Sequence, residues 1–386
     1  MKKEELRAFL IHEFEWLHAH PELSYEERET TGRLKSDLRR AGIAVLDLPM
    51  ETGLVARIGS GEPHIVLRAD IDALPIEEMT NLPYKSVYPG KMHACGHDFH
   101  TICVLGAALI LNARKTCLPG TVTFVFQPAE EAPGGAKKIL ATHALDGAEL
   151  ILGLHSSPLL NVGTIGIKSG AVTASVDKFG ITFRGKGTHA AHPERGIDPI
   201  VMAANFACSV QSVRGQNLDP VAAGLIGVTR IESGNTWNVI PETAFLEGTS
   251  RSLTVADRLL IKKRIYELAE GIAAAFGGSA DVDWYAGPPA TDNDETLAQI
   301  AKRVADRLNL SVVDAPVSLA GEDFAYYQES LKGLFLIVGT GEGSANHSTT
   351  FMVDTGAIDI TANYLAELCE TIFRDIVISF SIIGGE

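Results

Sequence analysis

Short apolar runs alternate with helical patterns along the first part of the chain, and this alternation narrows the choice of folds more than any other feature. Residues 54–58, 64–68, 121–126 and 150–154 read as strands; all but the first are nearly continuous in apolar and β-branched residues, as buried strands are. Between and before them, residues 3–18, 30–41, 100–113 and 136–144 carry helical patterns; the first stops before Pro21 and the second at Gly42. Strands that take turns with helices predict an α/β domain with a mostly parallel sheet. In such a sheet, the loops at the carboxyl ends of the strands build the site.

The texture changes near residue 175. Residues 176–184 read as a strand, 185–196 as a polar loop, 198–212 as a helix, 221–232 and 244–250 as strands, 256–276 as a long helix and 282–285 as a closing strand. This β-α-β-β-α-β order is the ferredoxin-like pattern. Pro288-Pro289 and the polar stretch 291–294 mark a linker, after which α/β texture returns. The expected organisation is a catalytic domain made of residues 1–176 and 291–386, interrupted by an inserted α+β domain of residues 177–290.

With 386 residues the chain is long enough for two domains, and 46% hydrophobic with 21% charged residues is ordinary for a globular protein. Its net charge of -15 argues against nucleic acid as a partner, since neutralising phosphates needs a basic surface. Five scattered cysteines do not resemble a disulfide framework. Neither a signal-type apolar stretch nor a run long enough to span a membrane is evident, so the cytoplasm, with reduced thiols, is the expected compartment.

The chemistry concentrates at residues 92–100, Met-His-Ala-Cys-Gly-His-Asp-Phe-His, where His93, Cys95, His97 and His100 are all possible metal ligands and Asp98 lies among them. Arg68-Ala-Asp70-Ile-Asp72 closes one predicted strand, Gln127-Pro-Ala-Glu130-Glu131 another, and His155 a third. His347 follows an apolar stretch and a glycine-rich loop. Cys95 and His97 are expected just before a helix. A lone cysteine is usually a small buried hydrophobe, but Cys95 between two histidines favours ligation. A divalent ion held here makes a water acidic enough to attack an amide near neutral pH, and a nearby carboxylate can take its proton. His18, His20 and His143 read as surface or capping residues, and His12 as a packed helical one. The segments Gly185-Lys-Gly-Thr-His189-Ala-Ala-His192-Pro, Trp237-Asn238-Val-Ile-Pro241 and Thr249-Ser-Arg251 are unremarkable alone; a buried Asn and an Arg can bind a carboxylate.

Together these residues resemble the dimetal aminoacylase and carboxypeptidase family, in the branch of hippurate hydrolase, N-acetyl-diaminopimelate deacetylase and the auxin-conjugate amidohydrolases. The matching segments are residues 68–75, 92–100, 126–131, 153–156, 185–193, 238–241 and 321–325, with His347, and they run in order along nearly the whole chain. The resemblance implies a zinc-peptidase-like catalytic domain and a lid domain that also mediates homodimerisation. It implies two divalent ions held by Cys95, His97, Glu131, His155 and His347, with Glu130 as general base and Asp70 orienting a ligand. It further implies that His189 stabilises the oxyanion in the partner subunit's site, and that Asn238 and Arg251 hold the substrate's carboxylate. Thiolate, imidazole and carboxylate donors admit zinc, manganese, cobalt or nickel.

Two departures from the wider family stand out. Relatives such as the succinyl-diaminopimelate desuccinylases carry His-x-Asp where this chain has Arg68-Ala-Asp70, so no metal is assigned to position 68. Thr349 stands where the close branch often has proline. The leading expectation is hydrolysis of N-acyl-L-amino acids. A dipeptidase or carboxypeptidase of the same family is the first rival; it requires a site for a free amino group that no added acidic cluster announces. A non-catalytic metal-dependent binding protein is the rival from another class, and the intact set of donors with Glu130 and His189 argues against it.

Overall fold

The computed structural model describes residues 2–341 and 343–383. Two compact units divide the chain: one comprises Met1–Gly170, Asp292–Pro316 and Tyr326–Glu386, the other Ala171–Thr291 and Val317–Ala325.

The first unit begins with helices α1 (Lys3–Ala19) and α2 (Arg28–Arg40), then strands β1 (Ala44–Val45), β2 (Leu54–Gly59) and β3 (His64–Asp70). Helix α3 (His97–Ala113), strand β4 (Thr121–Gln127), helix α4 (Gly135–Leu140) and strands β5 (Leu150–Ser157) and β6 (Thr164–Gly166) follow. Strands Ser311–Val313 and Lys332–Gly339 and the helix Gly356–Ile383 come from the later part of the chain. The eight-stranded sheet runs β1, β2, β4, β3, β5, Lys332–Gly339, β6, Ser311–Val313. Its middle is parallel: β3 pairs with β4 (Asp70 opposite Gln127) and with β5, and β5 pairs with Lys332–Gly339 (His155 opposite Ile337). β1, β2 and β6 add antiparallel pairings. Every residue of β3 and β4 is buried, which is why these runs lack alternation.

Helix α1 buries Leu10, Phe14 and Leu17, one face at helical spacing. Leu10 meets α3 at Gly106, where a Cβ would collide with Leu10 and with Ala362 of the last helix. That one missing side chain lets three helices close over the sheet. Among the described residues, no helix is long and apolar enough to cross a membrane.

The second unit holds a four-stranded antiparallel sheet in the order Gly224–Ser233, Thr243–Ser252, Ser175–Arg184, Ser279–Ala286. Helices Pro199–Ser209 and Val255–Ala275 are connected between the strands in the β-α-β-β-α-β order read from the sequence. The second core gathers Phe179, Ile181, Phe183, Phe206, Leu246, Ile261 and Ile265. The predicted helix at 198–212 ends at Ser209, and a separate short helix follows at Ser212–Gln216. Asp198 caps the first helix by accepting from Ile200 N.

Candidate metal centre

The first unit gathers the donors at the carboxyl ends of β3, β4 and β5 and at the start of α3. Helix α3 begins at His97, three residues earlier than the sequence pattern suggests. The cause is Gly96, whose φ of 85° makes the turn and whose missing Cβ leaves room for the Ser156 hydroxyl. His97 is therefore the first helical residue rather than a residue of the preceding loop, and Cys95 is left on the loop side.

Cys95 Sγ lies 3.4 Å from His155 Nε2 and 3.3 Å from His347 Nε2. Cys95, His97 and His155 form one trio whose donor atoms all lie within 4.8 Å of one another; Cys95, Glu131 and His347 form a second, and His97, Glu130 and Glu131 a third. The five expected ligands and Glu130 thus converge on one place, with Cys95 common to two trios. His347 Nε2 stands 3.1 Å from Glu131 Oε1, a charge contact without hydrogen-bond alignment. The backbone is forced into the left-handed region at Ala129 (φ 52°) and His347 (φ 64°), just where Glu130, Glu131 and His347 must be presented. Glu27 accepts from Ala129 N at 2.8 Å, and Ala94 O accepts from His347 N at 2.7 Å, which holds both turns.

The hydrogen bonds fix which ring nitrogen carries the proton. His97 Nδ1 lies 3.1 Å from Asp72 Oδ1 and His155 Nδ1 lies 2.9 Å from Ser156 O. A carboxylate and a carbonyl only accept, so each Nδ1 donates and each Nε2 of the neutral ring offers a lone pair to the centre. Among the described residues, His97 Nε2 and Glu131 Oε1 are buried without a hydrogen-bond partner, an expensive condition unless an ion takes them. The donor set fits divalent cations: one thiolate, three imidazoles and carboxylates, aimed inward.

Charge reinforces this. Burial opposes the thiolate of Cys95, but His155, His347 and His97 outweigh it and hold the thiol well below its usual range. Cys95 and Glu131 beside His347 raise its pKa to about 10. Burial likewise opposes charge on His97, and Asp70, Asp72 and Cys95 more than offset it, so its pKa is raised. Cys95, His97 and His347 would give up these protons to hold a divalent cation with the same atoms.

Two other histidines of the 92–100 segment stand outside the convergence. His100 Nδ1 donates to Asp70 Oδ1 at 2.7 Å, and its Nε2 accepts from Ser156 N at 2.8 Å, so both nitrogens are committed. Burial pushes its pKa down to about 4, consistent with a permanently neutral ring. His93 is buried with neither ring nitrogen hydrogen-bonded among the described residues, and burial lowers its pKa to about 4.

Asp70 makes its short contacts to His100 and to Arg68 Nη1 (2.7 Å), and stays 3.8 Å from His97 Nε2. Arg68 is fully buried and also donates to Gln127 Oε1 at 2.9 Å, which accepts the Tyr327 hydroxyl at 2.9 Å as well. The guanidinium is committed inside the sheet, where no metal is assigned. Asp72, not singled out from the sequence, is the carboxylate on His97 Nδ1. Nothing in the sequence distinguishes it from Asp70; only the donors that fold around it do. His18, expected at the surface, is 2% exposed and bonds Asp98 Oδ2 at 2.7 Å. His12 is exposed rather than packed.

His189, Asn238 and Arg251 belong to the second unit. His189 is exposed on a two-residue strand paired with Val239–Ile240. Its Nδ1 accepts from Ala191 N at 3.0 Å, which leaves the proton on Nε2. Asn238 O accepts from Ala190 N at 2.9 Å, so Asn238 lies beside the His189 turn. Arg251 is half-buried on Thr243–Ser252 and donates to Thr249 Oγ1 and to Ser250 O, the latter at 3.0 Å.

Residues 66–371 match the description of peptidase family M20/M25/M40. The chain belongs to this family. Among M20 relatives, N-acetylcysteine deacetylase of Bacillus subtilis is 44% identical over 93% of this chain and 96% of its own length. IAA-amino acid hydrolase ILR1-like 5 of Arabidopsis thaliana is 37% identical over 97% of this chain and 89% of its own. A crystal structure of a dinuclear metal binding peptidase of the M20 family from Bacillus subtilis superposes with a TM-score of 0.88 at 41% identity, covering 96% of this chain and 99% of that one. The branch read from the motifs, deacetylases of N-acyl amino acids and auxin-conjugate hydrolases, is the branch these M20 relatives occupy.

Proposed function

We propose that this protein is a metal-dependent amidohydrolase that cleaves the amide bond of N-acyl-L-amino acids to a carboxylate and a free amino acid. The observation that carries the reading is the convergence of Cys95, His97, Glu130, Glu131, His155 and His347 on one place, where His97 Nε2 and Glu131 Oε1 are buried with no hydrogen-bond partner among the described residues. The relatives named for hydrolysing N-acyl amino acids support the substrate class. Two divalent ions, zinc, manganese, cobalt or nickel, suit the donors Cys95, His97, Glu131, His155 and His347. When bound, they supply Lewis acidity, polarising the amide carbonyl and making a water acidic near neutral pH.

The chain's own groups do the rest. Glu130 takes the proton of the attacking water and returns it to the leaving nitrogen. Proton transfer of this kind contributes on the order of 10²–10⁴-fold. The neutral rings of His97 and His155, fixed by Asp72 and by Ser156 O, keep their Nε2 lone pairs on the centre. Residues 177–290 act as lid and dimerisation domain of a cytoplasmic homodimer; five free cysteines suit a reducing compartment. His189, with its proton on Nε2, is preset to donate to a developing oxyanion in the partner subunit's site. Asn238 and Arg251 are the candidates for the substrate's carboxylate.

The test is release of free amino acid from N-acetyl, N-benzoyl and dipeptide substrates by metal-loaded protein, with a chelated control. Chelator-sensitive cleavage of the N-acyl substrates is expected, and Glu130→Gln should retain its metal and lose about 10²–10⁴-fold in kcat. Cleavage of dipeptides alone would move the assignment to a peptidase. Near-wild-type turnover in Glu130→Gln would remove that residue from the base role.

A further inference from the structure

Asp72 lies two residues past the end of β3, is 1% exposed and belongs to none of the donor trios. Four donors nonetheless close on its carboxylate. Oδ1 faces His97 Nδ1 at 3.1 Å and Glu130 N at 3.1 Å. Oδ2 faces Glu131 N at 3.0 Å and the Ser24 hydroxyl at 2.6 Å. An ionised carboxylate has about four acceptor sites, so this one is saturated. The donors come from three separate places: the segment after α1, the first turn of α3 and the loop after β4.

We propose that Asp72 is a positioning residue that registers the base Glu130 and the ligand Glu131 against the ligand His97. The inference rests on the amidohydrolase reading and deepens it. One oxygen, Oδ1, binds both the imidazole and the backbone of the base, so the distance between the two is set by a single atom. The same bond holds the His97 proton on Nδ1 and its lone pair on the centre. The other oxygen pins Glu131, while Ser24 fills the last acceptor site and keeps the carboxylate from rotating. The left-handed turn at Ala129 delivers the two glutamate N–H groups side by side to that carboxylate. Asp70, the acidic neighbour in the same segment, cannot share the task because its two oxygens are committed to Arg68 and His100.

Asp72→Asn tests the role, because it keeps the size and one acceptor but turns an NH2 group toward two donors. The readouts are cobalt affinity, the visible absorption of the cobalt-loaded protein, kcat and KM on an N-acetyl amino acid, and denaturant unfolding of the metal-free protein. Cobalt affinity should fall on the order of 10–100-fold, as is usual when a group that orients a ligand is lost. The visible bands should change even at saturating cobalt. Under those conditions kcat should fall on the order of 10²-fold with KM little changed, the mark of misplaced reacting groups. Wild-type bands and wild-type kcat at saturating cobalt, with only a lower unfolding midpoint, would reduce Asp72 to scaffolding and overturn the proposal. A wild-type protein that binds cobalt and cleaves none of the amides would sink the amidohydrolase reading instead; altered bands in Asp72→Asn would still support the positioning role, and unaltered bands would still refute it. If Asp72→Asn does not fold, Ser24→Ala removes one donor from Oδ2 and should weaken cobalt binding in the same direction by a smaller factor; unchanged affinity and bands there would refute the role as well.

Discussion

In the first unit, His97 and His155 turn Nδ1 to Asp72 and to Ser156 O, so Nε2 is the nitrogen each leaves for the centre, that of His155 standing 3.4 Å from Cys95 Sγ. In the second unit, His189 does the reverse: Nδ1 takes the N–H of Ala191, and the proton is left on Nε2. The first arrangement makes acceptors, which suit a cation; the second makes a donor, which suits a developing anion. The settings differ too. His97 is 1% exposed, whereas His189 stands open on a short two-residue strand. A histidine's chemistry is therefore decided by which partner its far nitrogen finds. That partner is a buried carboxylate or carbonyl in one unit and a loop amide in the other.

If the first arrangement depends on buried charge beneath the donors, the largest effect should come from Arg68. Its guanidinium is the fixed partner of Asp70, and Asp70 in turn holds His100. Arg68→Met leaves that carboxylate buried without its cation, a change that costs about 3–5 kcal/mol. Denaturant unfolding of the metal-free protein should show the loss. A variant within about 0.5 kcal/mol of wild type, the range of ordinary surface substitutions, would mean that the buried pairs do not support the site.

The exposed arrangement should behave oppositely. His189→Ala should leave unfolding and metal content unchanged while kcat falls on the order of 10²–10³-fold, the scale for losing one oxyanion donor. Stability is thus expected to fall at Arg68 and to stay unchanged at His189, where turnover alone is lost. Wild-type kinetics in His189→Ala would break the contrast and leave the second motif as a polar turn.

The two regions also differ in how far the sequence betrays them. The donors of the first unit were legible because an apolar strand that stops at a histidine or a carboxylate points to the edge of a parallel sheet. The segments holding Glu131 and His155 have that form and His347 follows another apolar run, whereas Cys95 and His97 were marked by their spacing just before a helix. What the residue pattern by itself could not decide, without the resemblance, was the choice among like residues. Asp70 and Asp72 are two positions apart, and His97 and His100 share one helix turn; only the surrounding donors decide which orients a ligand and which is closed. Strands of three residues, such as Thr164–Gly166 and Ser311–Val313, are too short to carry a pattern. Their place is set by pairing with distant chain. His189 was singled out only through the resemblance, because a glycine-rich polar loop has no periodicity to interpret.

His18 tests the same point at smaller scale, since its partners lie far away in sequence. It sits near the end of α1, with Nδ1 2.7 Å from Asp98 Oδ2 and Nε2 3.4 Å from Glu78 Oε1. Burial opposes its charge, but the two carboxylates outweigh it and raise its pKa to about 9 from an ordinary 6.5. The folded protein therefore holds this proton more tightly than the unfolded chain does. The resulting stability is complete below about pH 6.5 and is lost as pH rises through about 9. A shift of this size corresponds to about 3 kcal/mol. Because Asp98 adjoins His97 in the first turn of α3, the loss loosens the start of the helix that carries a candidate ligand. His347 also titrates in the alkaline range when no metal is bound, so the wild-type slope alone does not isolate His18. The difference between wild type and His18→Gln does. Denaturant midpoints of the two metal-free proteins, followed from about pH 6 to about pH 10, should converge as the pH rises. Parallel curves would show that the buried imidazolium between Asp98 and Glu78 does not stabilise the fold, and that the helix start is held by packing alone.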